Sequence, residues 1–149
     1  MEIQQVNGLH PDFVYLSKSL EEFQFNMLPI LKDKEYSLTD DLEEIVGFVL
    51  YVNNTPVGSI GLKHISEESC EIVRVFVLES HRGNGYAKLL FDKVEDLAKS
   101  KGYKKAKMVA WEQATSALTL YKKLNYTISS KQASEWYGGN MYVELYKNL

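Results

Sequence analysis

A short glycine-containing stretch carries the clearest chemical signal in this sequence. Five residues after Val77, where an apolar run ends, the chain reads Arg82-Gly83-Asn84-Gly85-Tyr86-Ala87, and an amphipathic pattern follows. A helix that begins at such a turn leaves its first N–H groups unpaired, and its macrodipole adds partial positive charge there. Gly83 and Gly85 let an anion approach the backbone closely, and Arg82 adds a permanent charge. The pattern therefore predicts an anion site, for which phosphate is the usual ligand.

Two common phosphate-binding motifs do not match this stretch. The P-loop ends in Gly-Lys followed by Ser or Thr, whereas Tyr86 and Ala87 follow Gly85 here. The dinucleotide-binding fingerprint needs Gly or Ala three residues after Gly85, where Lys88 stands. A turn that is shaped by two glycines and binds nothing remains an alternative at this point.

Glu71 is the leading candidate for a general base. It lies in an apolar strand pattern, where alternation places it on one face with Val73, Val75 and Val77. A carboxylate among apolar neighbours has a raised pKa, which suits proton abstraction near neutral pH. The alternative is a glutamate at the end of a strand that pairs with Arg74, Lys63 or solvent.

Other reactive side chains carry weaker signals. Tyr121 belongs to a helical apolar stripe, which by itself is typical of a core residue. The three histidines have no metal-ligand spacing, so we expect no metal. Cys70 begins an apolar strand and is interpreted as a small core residue, not a nucleophile.

The hydrophobic periodicity predicts a mixed α/β fold with the order β-α-β-β-β-α-β-α-β-β. The first helix begins at Pro11 and ends before Pro29, the second runs from the glycine turn to Lys101, and the third covers Ala114–Leu124. The predicted strands are Ile3–Val6, Ile45–Val52, Val57–Ile65, Cys70–Val77, Lys105–Trp111, Tyr126–Ser130 and Asn140–Lys147.

Length and composition narrow the class of protein. With 149 residues, the chain is expected to form a single domain over 1–149. A net charge of −3 argues against nucleic-acid binding, which usually requires a basic surplus. There is one cysteine, no secretory signal pattern and no apolar run near the ~18 residues that span a bilayer. We therefore expect a soluble cytoplasmic protein without membrane or nucleic-acid partners.

Three segments together resemble the GNAT family of N-acetyltransferases. Arg82, Gly85 and Ala87 match its acyl-CoA-binding motif, which is Arg or Gln, two residues, Gly, one residue, then Gly or Ala. Gly83 occupies a common extra glycine position. The preceding "EIVRVFV" resembles the family's fourth strand, and "ALTLYKKLNY" resembles a later helix and the turn after it. The predicted order of elements is similar to that of the family across nearly the whole chain.

The resemblance implies an acyl-CoA N-acyltransferase fold and acetyl-CoA as co-substrate. It implies that Tyr121 protonates the coenzyme A sulfur, and that Glu71 acts as the base through water. A backbone N–H on the fourth strand would polarise the acetyl carbonyl. The pantetheine arm would pair with the backbone of Val75, Phe76 and Val77. The pyrophosphate would be held by backbone N–H groups in the loop and first helical turn: Arg82, Gly83, Asn84, Gly85, Tyr86, Ala87 and Lys88.

The acceptor is less well defined by the resemblance. It would be a primary amine of a small molecule or a peptide, and the protein could form a homodimer. An asparagine that is frequent in the family is Ala114 here, which removes one side-chain contact to the cofactor. The alternative function is a non-catalytic acyl-CoA-binding sensor. In the family, two segments that here hold carboxylates and aromatic rings form the acceptor pocket, and a solvated acidic loop is the alternative for them. These residues are Asp33, Glu35, Asp40, Asp41, Glu43, Glu44, Glu135, Trp136 and Tyr137.

Overall fold

The computed structural model describes residues 1–33, 37–133 and 141–149. Within these ranges the chain forms seven strands and three α-helices, in the order that the sequence predicts. The helices are α1 (Pro11–Met27), α2 (Tyr86–Ser100) and α3 (Thr115–Lys123). The strands are β1 (Glu2–Asn7), β2 (Ile45–Val52), β3 (Thr55–His64), β4 (Ser69–Val77), β5 (Lys105–Trp111), β6 (Thr127–Ala133) and β7 (Met141–Asn148).

All seven strands form one mixed sheet in the order β1-β2-β3-β4-β5-β7-β6. Every neighbouring pair is antiparallel except β4 and β5, which are parallel and are joined by α2. The parallel pairing covers only Ser69–Glu71 of β4 and 105–107 of β5. Beyond Glu71 no described strand pairs with that edge of β4, so the sheet opens between β4 and β5.

Helices cover both faces of the sheet. The larger core lies on the face covered by α2 and α3, where Leu90, Phe91 and Val94 are fully buried. The smaller core lies on the other face, under α1, and is centred on Phe13. A Cβ on Gly47 would come within 2.6 Å of the Phe13 ring, so this glycine allows α1 to approach the sheet closely. No helix in the described ranges is long and apolar enough to cross a membrane.

A β-bulge in β4 changes which side chains share a face. Ser59 of β3 pairs with Phe76 of β4, and Gly61 of β3 pairs with Val73. Between these two pairs, β4 has two residues, Arg74 and Val75, where β3 has only one. Arg74 has a φ of 55°, in the left-handed region. The prediction that Val75 and Val77 share a face with Glu71 is therefore wrong. Both valines pack into the larger core, whereas Val73 and Phe76 face α1.

Candidate active site

A cleft of about 1150 Å³ passes through the sheet where β4 and β5 separate. On one face it is bounded by the loop before α2 and by α3. On the other face it is bounded by the second half of α1 and by the α1-facing side chains of β4 and β5. We call these two parts the loop half and the α1 half of the cleft.

The glycine turn forms the outer end of the loop half. Gly83 and Gly85 have φ values of 83° and 75°, in the left-handed region that favours glycine. A Cβ on either residue would meet nothing within 4 Å, so the space in front of the turn is open. The Arg82 N–H, which was also expected to bind the anion, instead donates a 3.3 Å hydrogen bond to the Glu79 carbonyl oxygen. The N–H groups of residues 83–88 donate no hydrogen bond to a described residue. An anion could therefore approach these donors directly, as the sequence indicates.

The Arg82 side chain lies toward α1. Its Nε donates a 2.9 Å hydrogen bond to the Val77 carbonyl oxygen. Its guanidinium carbon is 4.8 Å from the centre of the Phe23 ring and 5.6 Å from that of Phe76. Cation–π contact thus links the glycine turn to α1 and β4. The sequence did not indicate this contact, because Phe23 and Arg82 are distant along the chain.

Tyr121 lies on α3 and forms part of the wall of the loop half. Its ring packs 5.7 Å from that of Phe91, and the residue is only 8% exposed. Its hydroxyl has no hydrogen-bond partner among the described residues and is not one of the fully enclosed polar atoms, so it opens to the cleft. Burial raises the pKa of Tyr121 to about 12, which keeps the hydroxyl protonated at neutral pH. Ala114 precedes the first residue of α3, and its side chain makes no capping hydrogen bond to the helix.

Glu71 is located where β4 and β5 separate. It pairs with Lys63 of β3 on one side and with Lys107 of β5 on the other. No described side chain forms a hydrogen bond or ion pair with its carboxylate. Burial raises the Glu71 pKa above its ordinary value, although the charges of Lys63 and Arg74 offset part of the effect. A carboxylate whose pKa is raised is a stronger base than an ordinary glutamate.

Asp41 has a different role from the one expected. It pairs with the Arg74 guanidinium and accepts a 2.8 Å hydrogen bond from Lys63. None of the described acidic residues of the expected acceptor pocket lines the cleft; these are Asp33, Asp40, Asp41, Glu43 and Glu44. Glu35, Glu135, Trp136 and Tyr137 lie outside the described residues.

The α1 half is mainly apolar, which the sequence did not indicate. Phe23, Met27 and Leu28 line it from α1 and its end, and Val109 and Trp111 line it from β5. The apolar spacing of α1 continues as far as Met27, and this was the one available signal. This spacing could not distinguish core residues from cleft residues. Periodicity identifies the apolar face of a helix, but it does not indicate what covers that face.

The remaining reactive residues that the structure describes do not form a second site. No group of three possible metal ligands occurs among the described residues. Burial raises the pKa of the Cys70 thiol to about 11, and the residue is fully enclosed in the larger core. His64 forms a hydrogen bond with the Tyr103 hydroxyl at 2.6 Å.

Comparisons with known proteins agree with this architecture. A family model described as the acetyltransferase (GNAT) family matches residues 13–126. The protein YyaT of Bacillus subtilis (strain 168) is 31% identical over 102 residues, which is 68% of this chain and 66% of that protein.

Solved structures share the whole fold at low sequence identity. An IAA acetyltransferase from Bacillus cereus ATCC 14579 has a TM-score of 0.78 and 20% identity, and the match covers 99% of both chains. A GNAT family acetyltransferase from Elizabethkingia anophelis with acetyl-CoA bound has a TM-score of 0.76 and 19% identity, over 99% of this chain and 97% of the other.

Proposed function

The chain belongs to the acetyltransferase (GNAT) family, and we propose that it transfers an acetyl group from acetyl-CoA to a primary amine. The observation that carries the proposal is the cleft through the sheet. Unpaired N–H groups lie at its outer end on one face, and the Glu71 carboxylate lies at the point where β4 and β5 separate. One substrate can therefore enter from each face and meet the other within the sheet.

The residues of the loop half suit coenzyme A. The pyrophosphate would be bound by the N–H groups of residues 83–88, where no protein atom fills the space in front of Gly83 and Gly85. The pantetheine arm would pair with the edge of β4 at Val75, Phe76 and Val77, since β5 pairs with β4 only as far as Glu71. Acetyl-CoA supplies the thioester, whose C–S bond breaks as the amine nitrogen forms the new C–N bond.

Three groups of the chain would serve this reaction. An alkyl ammonium of pKa ~10 is neutral only about once in a thousand at pH 7, so Glu71 takes its proton, directly or through water. A backbone N–H on β4 near Val75 polarises the acetyl carbonyl, as an oxyanion-hole donor does. Tyr121 gives its proton to the leaving sulfur, and the second proton that the attacking nitrogen loses restores the Tyr121 hydroxyl. The raised pKa of Tyr121 keeps the hydroxyl protonated between turnovers.

Paired glycine variants test the cofactor site. Gly85 and Gly102 both have positive φ, at 75° and 87°, and neither has a protein atom near its missing Cβ. Alanine at either position causes similar backbone strain, about 1–2 kcal/mol. Only Gly85 belongs to the proposed site. We expect Gly85→Ala to weaken acetyl-CoA binding about ten-fold or more in calorimetry, and Gly102→Ala to leave it unchanged. Equal weakening by both variants would show that strain, not the site, controls binding.

Thiol release separates the enzyme from the sensor. With saturating acetyl-CoA, release of free thiol that depends on an added amine supports the proposed transfer. Tight binding of acetyl-CoA without amine-dependent release from any of a broad set of primary amines would contradict the transfer, and would favour a non-catalytic acyl-CoA sensor.

A further inference from the structure

The α1 half of the cleft exposes large apolar side chains. Met27, at the end of α1, is 38% exposed, and Val109 of β5 is 46% exposed. Val109 alternates with Met108 and Ala110, which pack in the larger core, so it faces α1. Apolar side chains that line a concave site favour a ligand that removes them from water.

Few charges in this half are available to a ligand. Glu21 and Glu71 are the carboxylates that line the cleft in the described part of the chain. Glu21 already accepts hydrogen bonds from the Ser37 hydroxyl at 2.8 Å and from the Leu38 N–H at 2.7 Å. Glu71 makes no such bond to a described residue. In the described part of the cleft, Glu71 is therefore the carboxylate that can pair with an ammonium group.

Positively charged side chains adjoin the same region. Arg74 lines the cleft and is held by Asp41, and Arg82 lies over the rings of Phe23 and Phe76. A ligand with several ammonium groups would lose their hydration and face these cations, and among the described residues that line the cleft only Glu71 is a free carboxylate that could compensate. Burial of an unpaired charge is costly, so polyamines, aminoglycosides and lysine-rich peptides fit this half poorly.

Trp111 provides a separate, polar signal at the end of β5. Its indole Nε1 is fully enclosed and has no hydrogen-bond partner among the residues that the structure describes, and the residue lines the cleft. It is two residues from Val109 on the same strand and therefore lies on the same face. A buried donor without an acceptor costs about 1–3 kcal/mol. A turn of the indole ring toward the cleft would let an oxygen atom of a bound ligand recover that cost.

We propose that the acceptor is a small primary monoamine with an aromatic or alkyl body and one oxygen atom that accepts a hydrogen bond. Its ammonium group meets Glu71, its apolar body lies between Met27 and Val109, and its oxygen accepts the Trp111 N–H. This inference rests on the proposed acetyl transfer and specifies the substrate class of the same cleft.

An amine panel tests the substrate class by thiol release at saturating acetyl-CoA. The probes are phenethylamine, 4-methoxyphenethylamine, spermidine, an aminoglycoside and a lysine-containing peptide. We expect kcat/KM for the two arylalkylamines to exceed that for the other three about ten-fold or more. A preference for spermidine, the aminoglycoside or the peptide would overturn the inference and leave acetyl transfer intact. Absence of thiol release with all five probes would overturn the inference. The proposed function would be contradicted only if no amine of the broader set described above caused thiol release.

Two exposed apolar residues provide a matched pair of variants. Met27 lines the cleft, whereas Ile30, 40% exposed, does not. Met27→Glu places a charge beside the apolar body and should raise the KM for phenethylamine about ten-fold, with the KM for acetyl-CoA unchanged. Ile30→Glu should change neither value. Equal effects of the two variants would contradict the assignment of the groove.

A second variant covers the case in which Met27→Glu lowers the melting temperature. Val109→Thr keeps the shape and β-propensity of the side chain but adds a hydroxyl to the groove. We expect the KM for phenethylamine to rise about three-fold. An unchanged KM in the folded variant would contradict contact between Val109 and the acceptor.

Trp111 is tested with probes that differ by one atom. 4-Methoxyphenethylamine and 4-ethylphenethylamine have nearly the same shape, but only the first has the accepting oxygen. The wild-type protein should prefer the methoxy compound by about five-fold or more in kcat/KM. Trp111→Phe should remove that preference while it keeps a ring in place. No preference in the wild type, or an undiminished preference in the variant, would refute the role of the N–H group.

Discussion

Two carboxylates on the α1 face of the sheet have the same cationic neighbours but different surroundings. Asp41 forms ion pairs with both Arg74 and Lys63. Burial alone would raise its pKa, but the Lys63 hydrogen bond and the Arg74 charge outweigh burial and lower it. The charges of the same two cations also act on Glu71, but neither cation forms a hydrogen bond with it. The effect of burial is therefore larger than that of the charges, and the pKa of Glu71 is raised.

Two tyrosines on the opposite face of the sheet show the same kind of contrast. Tyr121 and Tyr126 pack on the same ring, with centroids 5.7 Å and 5.6 Å from that of Phe91. The Tyr126 hydroxyl donates a 2.9 Å hydrogen bond to Glu95, which also accepts a 2.7 Å bond from Lys147. The Tyr121 hydroxyl has no such partner in the described ranges and opens to the cleft. In both pairs, hydrogen bonding within the chain separates the side chains that stabilise the fold from those available to a substrate.

The largest expected effect is on the unpaired carboxylate. Glu71→Gln keeps the shape of the side chain and removes its ability to accept a proton. General-base catalysis is worth roughly 10² to 10⁴ in rate, so we expect kcat to fall within that range. The melting temperature should stay near the wild-type value, because no described residue loses a hydrogen bond. Steady-state kinetics and a melting curve on the same sample check both points, and an unchanged rate would make Glu71 structural.

The paired carboxylate should show the reverse behaviour. Asp41→Asn removes the carboxylate from its buried ion pair with Arg74, and the loss of one member of such a pair typically costs about 3 kcal/mol of unfolding free energy. Because the folded pKa of Asp41 is lowered, its stabilisation is present above its unfolded pKa of ~3.9 and is lost as the pH falls further. Urea unfolding at pH 7 and at pH 3 measures both effects. A loss of unfolding free energy below about 1 kcal/mol at pH 7 would show that Asp41, like Glu71, contributes little to stability.

The tyrosine pair should differ in the same sense. Tyr121→Phe removes one hydroxyl and keeps the ring packing, so kcat should fall about ten- to a thousand-fold with little change in stability or in the KM for acetyl-CoA. Tyr126→Phe is the control. It should lower the unfolding free energy by about 1–2 kcal/mol through the lost bond to Glu95 and leave kcat unchanged. A Tyr121→Phe variant with wild-type turnover would assign that residue to the core alone.

The smallest expected effect concerns pH. Glu71 must be unprotonated to act as a base, so kcat/KM should fall as the pH drops through its pKa, which lies above the ordinary 4.5. The Lys63 charge lowers that pKa, so Lys63→Met should move the acidic limb to higher pH, by about one unit or less. A limb that stays in place, or moves to lower pH, would indicate that another group controls the rate.

The sequence by itself determined the elements and the conformation of the glycine turn. The predicted bounds of Ile45–Val52 and Lys105–Trp111 agree with the structure, and Gly83 and Gly85 adopt the left-handed backbone that the turn requires. These features depend on periodicity, helix starts and turn residues, all of which act within a few positions along the chain. The pattern from Arg82 to Ala87 also led to the family that the comparisons show.

Only the tertiary structure decided the surroundings of the cleft. The bulge at Arg74 moves Val75 and Val77 to the opposite face from Glu71, and alternation within one strand cannot reveal an extra residue that the neighbouring strand imposes. Asp41 was expected in the acceptor pocket, but it is held by Arg74, 33 positions away. Charge partners and the faces of cleft-lining residues depend on the register of strands that are distant in sequence. For that physical reason, the paired Asp41 and the unpaired Glu71 could be told apart only in the folded chain.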